Sequence, residues 1–536
     1  LAEVEIPASV QGVLASRIDR LSPPRRGLLQ LASVIGKDVP LSLLRSVSGM
    51  GERALQAELA GLCAGEFLYE IDLPLGTEYT FKHALTRAVA YEGMLRRNRR
   101  ELHGRVLAAL EVDEAVIPEH LAHHALHGEV WDRAAVHAQQ AGLRANARSA
   151  WREAIAFFEM ALEALAHLPD EPEHRRRAIE VRLGLRVPLG PLGEFGRSAQ
   201  HLQEARAIAA ALGDERRLGP IDTNICLMFT NLGRLQEAIE AGQHSLALAT
   251  RLEDAPGRLS ASYALGQAHW FSGNLAEAER VLAAALPSLR GELRLRDTGT
   301  TGTASVLTLV CLSKTYATIG RDAEAAAAAA EARVIAQETR RPYDLSYADI
   351  AEGYARLLRG EDAAAVPPLE QALREARAAE IALLVPSIAR YLGRAYAAIG
   401  RHEAAEALLE EALDLTRAQG LVGLTAWCNL ALAHARLARQ LDVGPVLEEA
   451  LALAERHGYR PVMAQVHRLL ARLHAEAGRP REAAAAQQAA SRLAEMLGMR
   501  PETARRKFPV SAAAGIAGLP GPAGGAIVPA AERRGA

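Results

Sequence analysis

Aromatic residues are scarce in this chain, because Phe, Trp and Tyr together supply only 4 % of its 536 residues. A core with few large rings depends on small residues that let helices approach one another closely. We therefore expect an all-α protein. The chain is also too long for one compact core, which indicates several domains or an array of repeats.

The chain has no excess of charge of either sign. Its 62 basic and 64 acidic residues leave a formal net charge of −2, so charge alone favours neither nucleic acid nor an anionic membrane as a partner. It also lacks an apolar run of about 18 residues and a charged-then-apolar leader, and we expect no membrane partner. The chain begins abruptly at Leu1, and we interpret it as a fragment whose upstream part is missing.

Cysteine is rare, and its placement excludes the common metal-binding motifs. No CxxC pair or other ligand-like spacing occurs. All four cysteines stand in apolar helical contexts: Cys63, Cys226, Cys311 and Cys428. We expect buried free thiols and a reducing, cytoplasmic compartment.

The clearest pattern is a helical hairpin at residues 387–420. Gly393 lies in its first helix, Gly400 supplies the turn, and Leu409 lies in its second helix. Two helices cross closely only where side chains are small, and a large neighbour fills the remaining gap. A hairpin this short cannot bury its apolar face alone, so it needs stacked copies.

Eight further copies can be aligned on this hairpin. Each first helix carries a small residue, and these recur every 38 to 47 residues: Gly142, Gly184, Cys226, Gly266, Ser313, Gly353, Gly393, Ala431 and Ala471. Six units carry a turn glycine seven positions on: Gly233, Gly273, Gly320, Gly360, Gly400 and Gly478. These columns are typical of tetratricopeptide repeats, whose minimum is 34 residues. They predict a right-handed α-solenoid of about nine tetratricopeptide-like units over residues 116–500.

Two units are irregular, and the pattern stops after Arg500. Pro188 and Pro191 predict a loop where the second helix of the 184 unit should begin. An insertion at residues 290–304 is a candidate contact or hinge, or a passive loop. Residues 501–536 are rich in Ala, Gly and Pro, which predicts a disordered tail.

Most of the scattered aromatic residues fall on the first helices of the units. We expect most of them in the core between repeats, although first helices also line the concave groove of a solenoid. They are Tyr263, Trp270, Tyr316, Tyr354, Tyr391, Tyr396 and Trp427.

The first hundred residues follow a different pattern. Apolar residues at helical spacing predict helices through residue 62, and period-two alternation at 67–71 and 79–83 then flanks a turn with Pro74 and Gly76. That alternation predicts a β-hairpin. Helical spacing then resumes with Leu85, Val89 and Leu95. Helices, a hairpin and a closing helix give the order of a winged-helix domain over residues 1–115.

Here the chain resembles a known family. IPASVQGVLASRIDRL, LLQLASVIGKDVP and EYTFKHALTRAVAYEGML resemble the winged-helix segment of bacterial STAND-type signalling ATPases. The resemblance is strongest to proteins that join class III adenylate/guanylate cyclase domains, an AAA-like ATPase module and a tetratricopeptide tail. It covers positions 5–500 and implies signal transduction as the function. It also implies that His83 contacts the β-phosphate of bound ADP; the alternative is an ordinary capping or surface histidine.

The chain departs from that family in an important respect. No GxxxxGK[ST] phosphate loop occurs in its 536 residues, and the metal-binding aspartates of a cyclase are absent. Gly299-Thr300-Thr301-Gly302 lacks the lysine and the preceding strand, and we interpret it as a long inter-repeat connection. We therefore expect no catalytic residues and no cofactor in this chain, with ATP or ADP bound by the ATPase module of a longer parent protein.

Two clusters of basic residues invite other interpretations. The arginine run from Arg96 to Arg100 on a winged helix suggests DNA binding, but no base-reading residue is interleaved, which favours a solvated face or an intramolecular contact with the missing upstream module. His120, His123, His124 and His127 share one helical face and invite a zinc site. A tetrahedral site on one helix is awkward, so we expect a structural helix and no metal.

Three functions are consistent with this sequence. The first is a sensor arm that binds a protein or peptide on the solenoid and relays binding through the winged helix to an upstream nucleotide switch. The second is a free-standing scaffold for protein–protein interaction, and the third is a DNA-binding transcriptional regulator. The lack of a helix-turn-helix in the tail disfavours the transcription-activator branch of the family, and we expect no nucleic-acid partner.

Overall fold

The computed structural model describes residues 8–74, 76–113, 116–289, 291–296 and 302–499. The chain divides into two compact units, Leu1–Pro188 and Leu189–Ala536, here called unit 1 and unit 2. The predicted tail at 501–536 and most of the Gly299–Gly302 segment lie outside the described residues. The domain boundaries predicted at 115/116 and 500/501 stay predictions.

Unit 1 contains a small sheet among ten helices. Its elements in chain order are α1 (Ala8–Asp19), α2 (Pro23–Ile35), β1 (Asp38–Pro40), α3 (Leu41–Ser48), α4 (Glu52–Ala64), β2 (Leu68–Leu73), β3 (Gly76–Phe81), α5 (Ala84–Glu92), α6 (Arg96–Leu110), α7 (Pro118–His127), α8 (Trp131–Ala147), α9 (Trp151–Ala166) and α10 (Pro172–Leu189). The helix, hairpin and helix order matches the sequence prediction, and the winged-helix assignment stays a prediction.

The sheet has one strand more than the sequence predicts. Strands β2 and β3 form the expected antiparallel hairpin, with Leu68 opposite Phe81, and both side chains are buried. β1 pairs with the other edge of β3, placing Val39 opposite Tyr79. Three residues are too few to show a period of two, so sequence patterning could not find β1.

Unit 2 is a succession of helical hairpins. Its helices are α11 (Phe195–Ala211), α12 (Glu215–Asn231), α13 (Leu235–Arg251), α14 (Ala255–Ser272), α15 (Leu275–Ala285), α16 (Ala304–Ile319), α17 (Asp322–Thr339), α18 (Pro342–Arg359), α19 (Asp362–Ala378), α20 (Leu384–Ala398), α21 (His402–Ala418), α22 (Val422–Ala438), α23 (Gly444–His457), α24 (Arg460–Glu476) and α25 (Pro480–Met496). Over the described residues, α12 to α25 make seven hairpins, and α8 and α9 make one in unit 1. Each first helix contains the small residue that the sequence alignment places there.

The small residues lie where the two helices of a hairpin cross. A Cβ atom added at Gly393 would lie 2.6 Å from Cγ of Leu409, and one at Gly353 would lie 2.5 Å from Cγ of Leu369. In both hairpins the large residue stands sixteen positions after the glycine. The pairing of one small and one large side chain therefore sets how closely the helices approach.

The turn glycines adopt the conformation that the sequence prediction requires. All six have positive φ angles, from 69° at Gly478 to 92° at Gly320. A residue with a Cβ is strained in this left-handed region, whereas glycine is not. Each first helix can therefore end sharply and lead into the second.

Two local predictions were wrong in their boundaries. The second helix of the 184 unit begins at Phe195, so the expected interruption is only the short connection between α10 and α11, and Pro188 lies inside α10. Leu95 does not continue α5; it precedes α6 as its N-terminal cap residue and is exposed. The insertion before α16 contains two 3₁₀ helices, Leu286–Leu289 and Gly291–Leu295.

Candidate ligand site in the helical repeats

A cluster of aromatic and cationic side chains lies on the first helices of successive hairpins in unit 2. Trp270 comes from α14, Lys314 from α16, Arg390 from α20 and Trp427 from α22. The two indole rings are stacked with centroids 6.2 Å apart. With α18, whose Tyr354 also packs against Trp270, these are successive first helices, so the repeat places residues 157 positions apart in sequence side by side.

Lys314 is buried in this cluster. Only 3 % of its surface is exposed, and Nζ lies 4.0 Å from the centroid of the Trp270 ring, a cation–π contact. Burial, with a smaller contribution from the positive charge of Arg390, lowers the pKa of Lys314 from 10.5 to about 8. The ammonium group is therefore still mainly charged at pH 7.

Arg390 is the second buried cation, with 4 % of its surface exposed. Its Cζ lies 4.3 Å from the Tyr391 ring centroid and 5.2 Å from that of Trp427. Nη2 donates a hydrogen bond to the Tyr391 hydroxyl. Within the described part of the chain, Nε and Nη1 have no hydrogen-bond partner.

Both cations line a cavity of about 80 Å³. None of the described residues that line it is Asp or Glu. Its polar lining consists of Asn231, Gln267, Lys314, Ser387, Arg390 and several tyrosines. The cavity therefore carries positive charge without a matching negative charge in its wall.

Tyrosine hydroxyl groups complete the polar lining. Tyr263, Tyr343 and Tyr347 border the cavity, and burial raises the pKa of each above its usual range. They therefore stay protonated at neutral pH and can donate hydrogen bonds. Cations and phenol donors together make a site suited to an anion.

Contacts between distant hairpins close unit 2 around this region. The Tyr459 hydroxyl donates to the Thr230 carbonyl oxygen over 3.0 Å, and Nδ1 of His457 lies 3.1 Å from the Gly233 carbonyl oxygen. These residues are more than 220 positions apart. Helix α12 also contacts α22, and α14 contacts α24, so the inner surface is enclosed.

The aromatic residues on the first helices have two different environments. Trp270, Tyr354, Tyr391 and Trp427 pack around the cavity cluster. Tyr316 and Tyr396 instead lie under the guanidinium groups of the arginines that follow them, with Arg401 Cζ 3.9 Å from the Tyr396 centroid. The sequence predicts that these aromatic residues lie on first helices, but it does not tell those around the cavity from those that lie under an arginine.

His83 lies at the junction of β3 and α5, where it is the N-terminal cap residue of α5 with extended backbone angles. Its side chain is exposed. Its proposed role as a phosphate sensor stays a prediction.

The histidines of α7 contact a further histidine that the sequence did not indicate. Nδ1 of His103, in α6, lies 3.0 Å from Nδ1 of His124, and the His103 ring also packs against those of His123 and His127. His103 Nε2 lies 3.0 Å from the Tyr91 hydroxyl. Among the described residues no group of histidine, cysteine or acidic side chains has a geometry that could hold a metal ion.

Burial and neighbouring positive charge keep these histidines neutral. Burial is the main cause that lowers the pKa of His103 and His124 to about 3 and that of His123 to about 4. The neighbouring histidines add to the effect, with smaller contributions from Arg99 for His103 and Arg87 for His123. Protonation of this cluster therefore opposes folding.

The arginine run makes contacts within unit 1. Arg96 and Arg100 both pair with Glu129, each at 2.9 Å, and Arg99 lies over the Tyr91 ring. The run therefore ties α6 to the turn that follows α7, and a contact with an upstream module stays a prediction.

The four cysteines are free thiols; Cys226, Cys311 and Cys428 are buried and Cys63 is half-buried. Burial raises the pKa of Cys311 to about 11 and that of Cys428 to about 12, so neither is a ready nucleophile. No helix in the described ranges has the length and apolar character needed to cross a membrane.

Sequence reasoning missed Lys314 and Arg390, although one signal was present. The chain has only four lysines, and Lys314 alone stands in an apolar helical segment, ASVLTLVCLSKTYATI. A lone charge at a core position indicates either a functional site or a satisfied pair. Arg390 gave no comparable signal, because arginines occur throughout the helices.

Comparison with known proteins identifies the repeat type in part of the chain. Residues 218–290 match the family model described as tetratricopeptide repeat. An uncharacterized protein of Rhizobium meliloti (strain 1021) is 30 % identical over 210 residues, which are 37 % of this chain and 20 % of that protein. The match therefore spans about a fifth of the length of this curated relative.

Several solved structures share a similar helical arrangement at low identity. A Rap protein complexed with competence and sporulation factor is 14 % identical with a TM-score of 0.46, covering 68 % of this chain and 98 % of that chain. A STAND protein with a tetratricopeptide repeat sensor from Pyrococcus horikoshii is 15 % identical with a TM-score of 0.41, covering 85 % and 65 %. The Rap conjugation gene regulator of plasmid pLS20, in complex with the Phr* peptide, is 17 % identical with a TM-score of 0.43, covering 60 % and 91 %. At these values the function of those proteins does not transfer to this chain.

Proposed function

We propose that unit 2 is a ligand-binding sensor that recognises a protein or peptide on its inner surface. The observation that carries this proposal is the set of buried polar atoms that lack partners among the described residues. Nε and Nη1 of Arg390, Oε1 of Gln267 and Nε1 of Trp427 all belong to this set. Buried polar groups in a finished core are almost always paired, because an unpaired one costs about 1–3 kcal/mol. A bound ligand would supply the missing partners.

We further propose that this sensor belongs to a longer signal-transduction ATPase or nucleotide cyclase. The support is the resemblance of residues 5–500 to that family and the exposed position of His83 at the start of α5. An exposed imidazole at a strand–helix junction can reach a phosphate held by another module. Ligand binding in unit 2 would then favour one arrangement of winged helix and ATPase, as a bias between two states.

The test of this relay uses the longer protein encoded by the full reading frame. We expect a GxxxxGK[ST] loop upstream of Leu1, and we expect His83→Ala to shorten the retention of bound ADP. The matched control is His120→Ala, which removes an exposed histidine of α7 and should leave retention unchanged. Equal retention in both variants would refute the role of His83 and favour the scaffold without a switch.

The DNA-binding alternative has less support. The arginines that would form its basic patch are held by Glu129 and the Tyr91 ring. If a gel-shift experiment with mixed-sequence duplex DNA gave tight binding that Arg97→Ala and Arg100→Ala abolished, this alternative would replace the sensor proposal.

A further inference from the structure

The cavity of unit 2 carries two buried cations whose charges no acidic side chain in its described wall balances. Lys314 and Arg390 are both at least nine-tenths buried, and each disfavours the other, since Arg390 lowers the pKa of Lys314. Removing a charge from water without a partner is among the most costly events in folding. An anion in the cavity would remove much of that cost.

The free donors fit a carboxylate. Arg390 retains two guanidinium nitrogens without partners, Nε and Nη1, and either can donate a charge-assisted hydrogen bond to one oxygen of a carboxylate. Lys314 offers an ammonium group with three donors from α16, the first helix two hairpins earlier in the chain. Two cations on separate helices can thus hold the two oxygens of one group.

The size of the cavity limits what can enter. A water molecule needs about 10–15 Å³ of such space, so a cavity of about 80 Å³ holds roughly five water molecules. That space accommodates a carboxylate with a few carbon atoms, and excludes a folded domain or an intact helix.

The remaining lining favours an organic acid over an inorganic anion. Apolar side chains border the same cavity as the cations: Leu227, Leu307, Ile350, Leu383 and Leu384. A phosphate or sulfate ion would leave this apolar surface in contact with a charged, strongly hydrated group. A carboxylate on a short aliphatic stem would place its charge at the cations and its carbons against the leucines.

We propose that the cavity between Lys314 and Arg390 binds the carboxylate group of an aliphatic acid, either a small organic acid or the C-terminal residue of a peptide. This inference rests on the proposed function, since it names the chemistry that the sensor recognises. Binding would neutralise two charges that the protein otherwise buries alone.

The experiment uses the whole chain labelled with [13Cε]lysine, which gives only four lysine signals. Protein is titrated with succinate, with sodium chloride at equal ionic strength, and with paired mixed-sequence tetrapeptides that carry a free or an amidated C-terminus. The melting temperature is followed for the wild type, Lys314→Met, Arg390→Met and the surface control Arg216→Met. The Lys314 signal is followed in the three of these proteins that keep Lys314.

We expect succinate, free-acid peptides or both to shift the Lys314 signal, raise its pKa and raise the melting temperature, whereas chloride does neither. Arg390→Met should weaken carboxylate binding at least tenfold, Lys314→Met should abolish the thermal response, and Arg216→Met should match the wild type. A response to succinate alone identifies a small acid as the ligand; a response only to free-acid peptides identifies a peptide end.

Four outcomes would overturn the inference: no response to any carboxylate, an equal response to chloride, full binding by the Lys314→Met variant, or equal binding of amidated and free-acid peptides. The proposed function fails separately. If amidated and free-acid peptides bind equally well, peptide sensing stands and the carboxylate site does not. If succinate binds and no peptide does, the carboxylate site stands and peptide sensing does not.

Discussion

Replacing Lys314 with Met should make unit 2 more stable at pH 7. Methionine keeps a similar length and apolar stem but removes the charge that is buried beside Arg390. Most substitutions of buried residues destabilise a protein, so a gain in stability here would be diagnostic of an uncompensated charge.

The expected magnitude follows from the pKa of Lys314, which falls from 10.5 to about 8. A difference of about 2.5 units corresponds to about 3 kcal/mol of unfavourable free energy for the charged folded state. The cation–π contact with Trp270 returns about 1–2 kcal/mol. We therefore expect Lys314→Met to raise the free energy of unfolding by about 1–2 kcal/mol.

The gain should depend on pH in a defined direction. The folded pKa of Lys314 lies below the unfolded value, so the unfolded state binds more protons between pH 8 and 10.5 and the wild type gains stability as the pH rises through that window. The free-energy cost of burying the charged Lys314 is fully present below about pH 8. The advantage of Lys314→Met should therefore be largest at pH 7 and vanish near pH 10.5.

Urea unfolding at several pH values measures this difference. Trp270 and Trp427 lie in the cavity cluster and report unit 2 by fluorescence once Trp131 and Trp151 have been replaced by Phe. The matched control is Lys37→Met, an exposed lysine, which should change stability by less than about 0.5 kcal/mol. If Lys314→Met were less stable than the wild type by an amount that does not vary with pH, the ammonium group would be a satisfied structural group and this reasoning would be wrong.

Three further results are expected. Gly393→Ala should lower the free energy of unfolding of unit 2 by about 1–3 kcal/mol, because its Cβ would lie 2.6 Å from Leu409 Cγ, whereas Gly196→Ala, with open space around its Cβ, should be neutral or slightly stabilising in the same urea series. The folded pKa of His124 is about 3, so unit 1 should lose stability as the pH falls from 6.5 toward 3. Circular dichroism melts at several pH values should show a weaker dependence of stability on pH in His124→Leu, and an unchanged dependence would contradict this prediction. Tyr459→Phe, which removes the hydrogen bond to the Thr230 carbonyl, should cost about 1 kcal/mol and increase amide exchange at the end of α12.

The repeat architecture could be predicted because its signal is local and recurs. Gly353 and Gly393 each contact a leucine sixteen positions later, so a single hairpin contains all the information needed to specify its crossing. Nine registered copies then make the pattern visible in one sequence. The three-residue strand β1 was missed for the opposite reason, since its pairing with β3 depends on residues about 40 positions away.

The candidate site could not be predicted from the same columns. Lys314 and Arg390 are neighbours only because their helices, α16 and α20, occupy equivalent places in the array of hairpins. An alignment of the repeats shows which residues face inward but not which of them remain unpaired. Likewise, the contact between His103 and the α7 histidines joins two helices whose packing no periodicity specifies. The periodicity of the sequence is enough to predict the helices. The unbalanced charges of the cavity become visible only once the packing of those helices is known.

The contacts that enclose the inner surface of unit 2 stabilise it, whereas its uncompensated charges destabilise it, and this opposition supports the sensing role proposed above. Tyr459 and His457 contact the end of α12 and the turn that follows it, and these contacts favour the closed arrangement. In that arrangement the positive charges of Lys314 and Arg390 repel each other. A carboxylate that contacts both cations would offset this repulsion and so favour the arrangement that holds the two cations side by side. A ligand shifts a conformational equilibrium only by the ratio of its affinities for the two states. By reciprocity, any variant that loosens the Tyr459 contact should weaken carboxylate binding by the same factor by which the ligand strengthens closure.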